Sequence, residues 1–86
     1  GTTHKVVDPA ANFASKAYGK IASSLKKDTN YQSASELEKK YITAIALGNA
    51  VREKFTNADK REQAVRSLAD KFTDDEYLAM AEAAGL

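Results

Sequence analysis

The chain has 86 residues, with 13 basic and 12 acidic side chains, a single histidine and no cysteine. This length allows one domain with a modest core, and a composition of 43% hydrophobic and 29% charged residues is typical of a globular protein. The lack of cysteine excludes a disulfide scaffold and a thiolate metal site. The longest uncharged run, residues 41–51, is far shorter than the roughly 20 residues of a membrane span. We therefore expect a cytoplasmic protein without such a span.

The first part of the chain predicts an arm followed by a long helix. Residues 1–8 have no helical period and predict a flexible N-terminal arm, ahead of a single helical domain at residues 9–86. Asp8 before Pro9 is a typical helix start, because the carboxylate accepts free N–H groups while proline takes the first helical position. The first helix is predicted over residues 9–27, where apolar residues recur at i, i+4 spacing, and Asp28-Thr29-Asn30 is typical of a turn that ends it.

Gly19 lies in the middle of this first helix. Glycine costs about 1 kcal/mol relative to alanine in a helix interior, so its presence needs a reason. The close approach of another helix is the preferred explanation, and a kink is the alternative.

The second predicted helix, residues 34–55, is the longest. Ser33 and Glu36 have capping-box spacing at its start. Its apolar residues cover much of the circumference, which is typical of a central helix packed on more than one side. The predicted inward stripe consists of Leu37, Tyr41, Ala44, Ile45, Gly48, Val51 and Phe55. The small residues in this helix would let neighbouring backbones come close.

Two shorter helices complete the prediction. The third is expected over residues 57–71, with Thr56 and Asp59 in capping-box spacing, and the fourth over residues 74–84. Thr73 and Glu76 form the last capping box, and Gly85 lies where a left-handed C-terminal cap is expected. Because no strand pattern competes, the sequence predicts an all-α fold, a small compact bundle of four helices with the second helix central.

Enzyme chemistry has little support in the sequence. His4 is the only histidine and lies in the predicted arm. The acidic residues cluster at helix starts, where capping and the helix dipole explain them. No nucleophile motif or glycine-rich phosphate loop occurs. We therefore predict a non-enzymatic protein, with no catalytic residue, metal ligand or cofactor.

Basic residues suggest one kind of binding surface. Lys16, Lys20 and Lys27 share one face of the first helix, and the third helix carries exposed basic residues, namely Lys60, Arg61 and Arg66. Such groups support phosphate contacts in nucleic-acid-binding proteins. A net charge of +1 and a pI near 8.1 fall short of the strongly basic signature, so a solvated helix face is the favoured interpretation.

Tyrosines suggest another kind of surface. Tyr18, Tyr31, Tyr41 and Tyr77 combine a large apolar ring with a polar hydroxyl, a combination favoured at interfaces. Tyr31 stands out because it falls between the first two helices, although packing over the open end of the bundle is the simpler explanation for it.

The favoured function is therefore a non-enzymatic module for binding a protein partner, such as an adaptor, inhibitor or accessory protein. The apolar surface of the second helix would alternatively serve a homodimer. A nucleic-acid-associated protein using the basic residues of the first and third helices is the second hypothesis. A structural helical domain of a larger protein is the third.

Overall fold

The structure, a computed structural model, describes residues 8–86, and within that range it contains helices and no strand. The predicted all-α bundle is confirmed. Most of the predicted arm, including His4, lies outside the described residues. The helices are α1 (Pro9–Leu25), α2 (Thr29–Ser33), α3 (Glu36–Lys54), α4 (Ala58–Ser67) and α5 (Asp74–Ala83), with a 3₁₀ turn at Ala69–Lys71. The four long helices are those predicted; α2 is an additional short one.

Helix α1 starts as the sequence predicts and ends earlier. The Asp8 carboxylate accepts the backbone N–H groups of Ala10 at 3.0 Å and Ala11 at 3.3 Å, and Pro9 is the first helical residue. The helix ends at Leu25, so the predicted end at residue 27 is wrong. The reason lies at Asp28, which caps the next helix rather than forming a simple turn.

Two of the predicted helix caps belong to neighbouring residues. Helix α3 is capped by Ser35, whose hydroxyl accepts the N–H of Glu38, because Ser33 is the last residue of α2. Helix α4 is capped by Asn57, whose side-chain oxygen lies 2.7 Å from the N–H of Asp59. The predictions of Ser33 and Thr56 as caps are therefore wrong by two residues and by one.

The caps at the two ends of α5 are those that the sequence predicts. Thr73 and Glu76 make both bonds of a capping box at the start of α5, at 3.0 and 3.3 Å. Gly85 has a φ of +80°, and the N–H of Leu86 bonds back to the carbonyl of Ala81, which closes the end of α5. The third predicted helix, in contrast, ends at Ser67 and gives way to the 3₁₀ turn before Phe72.

Helix α3 packs against α1, α4 and α5, which confirms the predicted central helix. The buried core is poor in large side chains, since six of its eleven apolar residues are alanine. These residues are Ala10, Ala14, Ala17, Ala44, Leu47, Val51, Ala64, Val65, Leu68, Met80 and Ala84. The backbones of the helices therefore lie close together, and few large residues fill the space between them.

The two helical glycines differ in their surroundings. A Cβ at Gly48 would overlap the carbonyl oxygen of Met80 and lie 2.6 Å from the Cβ of Ala83, so α5 contacts α3 closely there. A Cβ at Gly19 would meet no atom within 4 Å, so the prediction of a close approach at Gly19 is wrong.

Part of the predicted stripe on the central helix faces solvent. Leu37 is 66% exposed and Ile45 is 44% exposed, although both were predicted to point inward. Ile45 follows the buried Ala44 by one residue and is therefore turned roughly 100° away from it around the helix axis. Leu37 lies in the first turn of α3. Large apolar side chains therefore remain on the surface of this helix.

Candidate binding cleft

Tyr31 lies on α2, which is fixed to the end of α1 by local polar contacts. The Asp28 carboxylate accepts the N–H of Asn30 at 2.8 Å and that of Tyr31 at 3.1 Å. The side-chain amide of Gln32 donates to the carbonyl oxygen of Lys26 at 2.6 Å. No residue of α2 is buried, and Tyr31 itself is half-buried. The ring of Tyr31 lies next to Lys39 of α3.

A cleft of about 100 Å³ lies beside this ring. It is lined by residues of α1, α2 and α3 and by Phe72, which follows the 3₁₀ turn. The lining consists of Tyr18, Ala22, Tyr31, Glu36, Lys39, Lys40, Thr43 and Phe72. Its volume is below the roughly 300 Å³ at the lower end of small-molecule sites, so it has room for one side chain of a partner.

Aromatic rings form the floor and lysines form the edge of this cleft. The rings of Tyr18 and Phe72 pack edge to face, with centroids 6.2 Å apart. The Lys39 ammonium lies 5.6 Å from the centre of the Tyr31 ring, and the Lys71 ammonium lies 5.0 Å from that of Tyr18. These cation–π contacts hold two positive charges beside the aromatic surface.

The lysine face predicted on the first helix is separate from the cleft. Lys16 and Lys20 are exposed, and helical geometry places them roughly opposite Tyr18 around the axis of α1. Lys27 is also exposed but lies in the turn after α1, so the prediction that it shares a helix face with the other two is wrong.

The basic residues of α4 do not form one face. Successive helical residues turn by roughly 100°, so Lys60, Arg61 and Arg66 point in three directions. Arg61 bonds to the end of α3, with its Nε 2.6 Å from the carbonyl oxygen of Phe55 and its Nη2 3.1 Å from that of Arg52. These carbonyls lack partners within the helix, so Arg61 serves as a C-terminal cap.

The other two basic residues of α4 face solvent. Arg66 pairs with Glu62 at 2.7 Å, and Lys60 is exposed. The structure thus assembles no continuous basic surface on this helix.

Tyr18 and Tyr31 were both predicted as candidates for interface contacts, and both line the cleft. Phe72, which also packs against the buried core, was not predicted as a binding residue, and neither were Lys39, Lys40 and Lys71. A usable signal was present in α3, where Glu36, Lys39, Lys40 and Thr43 follow the i, i+3, i+4, i+7 pattern of a single helix face. A polar face beside an apolar stripe indicates a surface that borders the core.

The described residues show neither a metal-binding cluster nor a membrane-spanning helix. Within residues 8–86 no group of three or more histidine, cysteine or acidic side chains is placed to hold a metal ion. In the same part of the chain, no helix has the length and apolar character needed to cross a bilayer.

Comparisons of the chain with protein-family models, with curated proteins and with solved structures found no match.

Proposed function

We propose that this protein is a small non-enzymatic module that binds a protein partner through the cleft at Tyr31. The observation that carries the proposal is the meeting of Tyr18, Tyr31 and Phe72 at an open surface. Tyrosine is enriched among the residues that dominate binding energy at interfaces, and pockets that receive a single anchoring side chain are typical of such sites.

The chemistry of the lining favours binding over catalysis. Glu36 is the one carboxylate among the lining residues, and its Oε1 lies 3.5 Å from the Lys39 ammonium. The Glu36 side chain is 94% exposed, so this contact is a solvated surface ion pair, and no second carboxylate of residues 8–86 lines the cleft to form a catalytic pair with it. The Thr43 hydroxyl donates to the carbonyl oxygen of Lys39 within its own helix at 2.9 Å, which leaves it poorly placed as a nucleophile.

The proposal is tested by comparing two variants as affinity baits. Tyr31→Ala removes the half-buried ring at the cleft, whereas Leu78→Ala removes a side chain that is 59% exposed on α5. We expect Tyr31→Ala to weaken capture of the partner from nuclease-treated lysate of the source cell by about tenfold or more, as for an interface hot spot. Leu78→Ala should leave capture unchanged. Circular dichroism checks that both variants remain helical.

Three results would overturn the proposal. Equal capture by wild type and Tyr31→Ala would move binding elsewhere on the protein. Capture lost on nuclease treatment would favour the nucleic-acid hypothesis. If neither the wild-type protein nor Leu78→Ala captures a specific partner, the result would favour a structural domain. A homodimer through the cleft would appear in light scattering as a dimer that Tyr31→Ala converts to a monomer, and it would identify the partner as a second copy.

A further inference from the structure

The charge around the cleft is unbalanced. Lys39 and Lys40 line it together with Glu36, the one carboxylate in its lining, so positive charge exceeds negative charge by one there, and Lys71 adds a further positive charge over the Tyr18 ring. Within residues 8–86 the ion pairs are Glu36 with Lys39 and Glu62 with Arg66. Lys40 and Lys71 therefore have no carboxylate partner within 4.0 Å in that part of the chain, and both are exposed.

Part of this charge is held beside the aromatic floor of the cleft. The cation–π contact at Tyr18 holds the Lys71 ammonium at the cleft, and Lys40 lies one residue from Lys39 on the same wall. A lysine side chain that is already oriented, as Lys71 is, loses less conformational freedom when it meets a carboxylate. A ligand that complements the cleft therefore has negative charges flanking one apolar group.

We infer that the cleft binds an acidic peptide segment of its partner that inserts one apolar side chain between Tyr18, Tyr31 and Phe72. This inference rests on the proposed function and adds the chemistry of the partner to it. The volume of about 100 Å³ accommodates one side chain. The unpaired ammonium groups of Lys40 and Lys71 supply the charge complementarity, which favours specific encounter with acidic segments.

A peptide fits these features better than a nucleic acid does. A nucleic acid carries a negative charge on every backbone unit, so it would place phosphates beside Glu36 as well as beside the lysines. A peptide can place carboxylates on either side of an apolar residue and leave the position beside Glu36 uncharged.

The test begins with a random peptide library displayed on phage and selected against the full chain. We expect enrichment of peptides in which aspartate or glutamate flanks leucine, isoleucine or phenylalanine. The affinities of the enriched peptides are then measured by fluorescence polarisation. Lys40→Glu combined with Lys71→Glu should weaken them by about tenfold or more, and added salt should weaken binding to wild type.

A matched control has the same change in net charge on another surface. Lys16→Glu combined with Lys20→Glu alters the face of α1 opposite Tyr18 and should change the affinity by less than about threefold, since exposed charges at a distance are screened. Lys40→Gln combined with Lys71→Gln provides a milder second variant, with an intermediate loss expected.

Several outcomes would overturn the inference. These are a failure to enrich any peptide, enrichment of basic or uncharged peptides, and equal effects of the two double glutamate variants. A labelled single-stranded oligonucleotide provides one more such outcome. If it binds the wild-type protein more tightly than the enriched peptides do, and if Lys40→Glu with Lys71→Glu abolishes that binding, the cleft is a nucleic-acid site.

The proposed function and this inference fail separately. If Tyr31→Ala abolishes partner capture while Lys40→Glu with Lys71→Glu does not, the cleft binds a protein whose segment is not acidic. If the enriched peptides bind Tyr31→Ala as well as wild type, the cleft is not the binding site at all.

Discussion

Gly48 shows how one residue sets the distance between two helices. The α3–α5 interface is the most extensive in the bundle, and Gly48 lies against the carbonyl oxygen of Met80 and the side chain of Ala83. Helix backbone cannot move aside without disturbing its own hydrogen bonds, so this contact admits hydrogen and not a methyl group. The packing of α5 against α3 therefore requires glycine at position 48.

We expect Gly48→Ala to lower the free energy of unfolding by about 1–3 kcal/mol, the usual cost of overpacking. Gly19→Ala is the matched control, because its added Cβ would meet no atom within 4 Å. That substitution should stabilise the protein by about 0.5–1 kcal/mol through its helix propensity. Urea denaturation of both variants checks the pair. Equal shifts in the same direction would contradict the assignment of Gly48 to the close contact.

At the scale of the helices, local polar groups decide where each one begins. Asn57 and Thr56 are adjacent, and both belong to residue types that cap helices. The structure uses Asn57, whose side-chain oxygen accepts the N–H groups of Asp59 and Lys60 at 2.7 and 3.4 Å. Arg61 then bonds back to Phe55, so the short connection between α3 and α4 is held from both sides.

We expect Asn57→Ala to lower the free energy of unfolding by about 1 kcal/mol, because two N–H groups at the start of α4 lose their acceptor. Thr56→Ala, one residue earlier, should change it by less than about 0.5 kcal/mol. Thermal unfolding followed by circular dichroism measures both. A larger effect at Thr56 than at Asn57 would show that Thr56 is the working cap in solution.

The sequence predicted the four long helices because their apolar periodicity extends over many residues, whereas the caps depend on a choice between neighbours. Ser33 and Ser35 both precede a glutamate by three residues, so capping-box spacing fits either one. Asp28 caps α2, and the extended backbone at Ala34, with ψ of 154°, ends it, so Ser33 is the last residue of α2 and Ser35 is left to cap α3. Competition between overlapping local motifs is thus the reason for the boundary errors.

The cleft was harder to predict than the helices, because its parts are far apart in the sequence. Tyr18, Tyr31 and Phe72 meet only after α1, α2 and the 3₁₀ turn are in place. Tyr31 was recognisable as an aromatic residue between two helices. Phe72 and Lys71 carry no local pattern that separates a cleft residue from a core or surface residue.

For the whole molecule, the main feature is a core built largely from alanine. Each buried alanine removes little apolar surface from water, so the few large residues contribute a disproportionate share of the hydrophobic stabilisation. Leu47 lies fully buried on the central helix and belongs to the single cluster that joins α1, α3, α4 and α5. Stability is therefore concentrated in a small number of side chains.

We expect Leu47→Ala to lower the free energy of unfolding by about 2–5 kcal/mol, the cost of lost burial plus the cavity left behind. A protein of this size has only about 5–15 kcal/mol in total, so the variant should be partly unfolded at moderate urea concentrations. Leu37→Ala, at a residue 66% exposed on the same helix, is the control and should cost less than about 1 kcal/mol. Similar losses for both would contradict the placement of the core.

The short helix α2 contributes no buried residue to this core, although it forms one wall of the cleft. Its polar contacts include the Asp28 cap, the bond from Gln32 to Lys26 and the contact of Lys39 with the Tyr31 ring. These contacts can break in a local opening while the buried cluster stays intact, at a free-energy cost below that of global unfolding. We therefore expect the width of the cleft to depend on how α2 is held rather than on the thermal stability of the bundle.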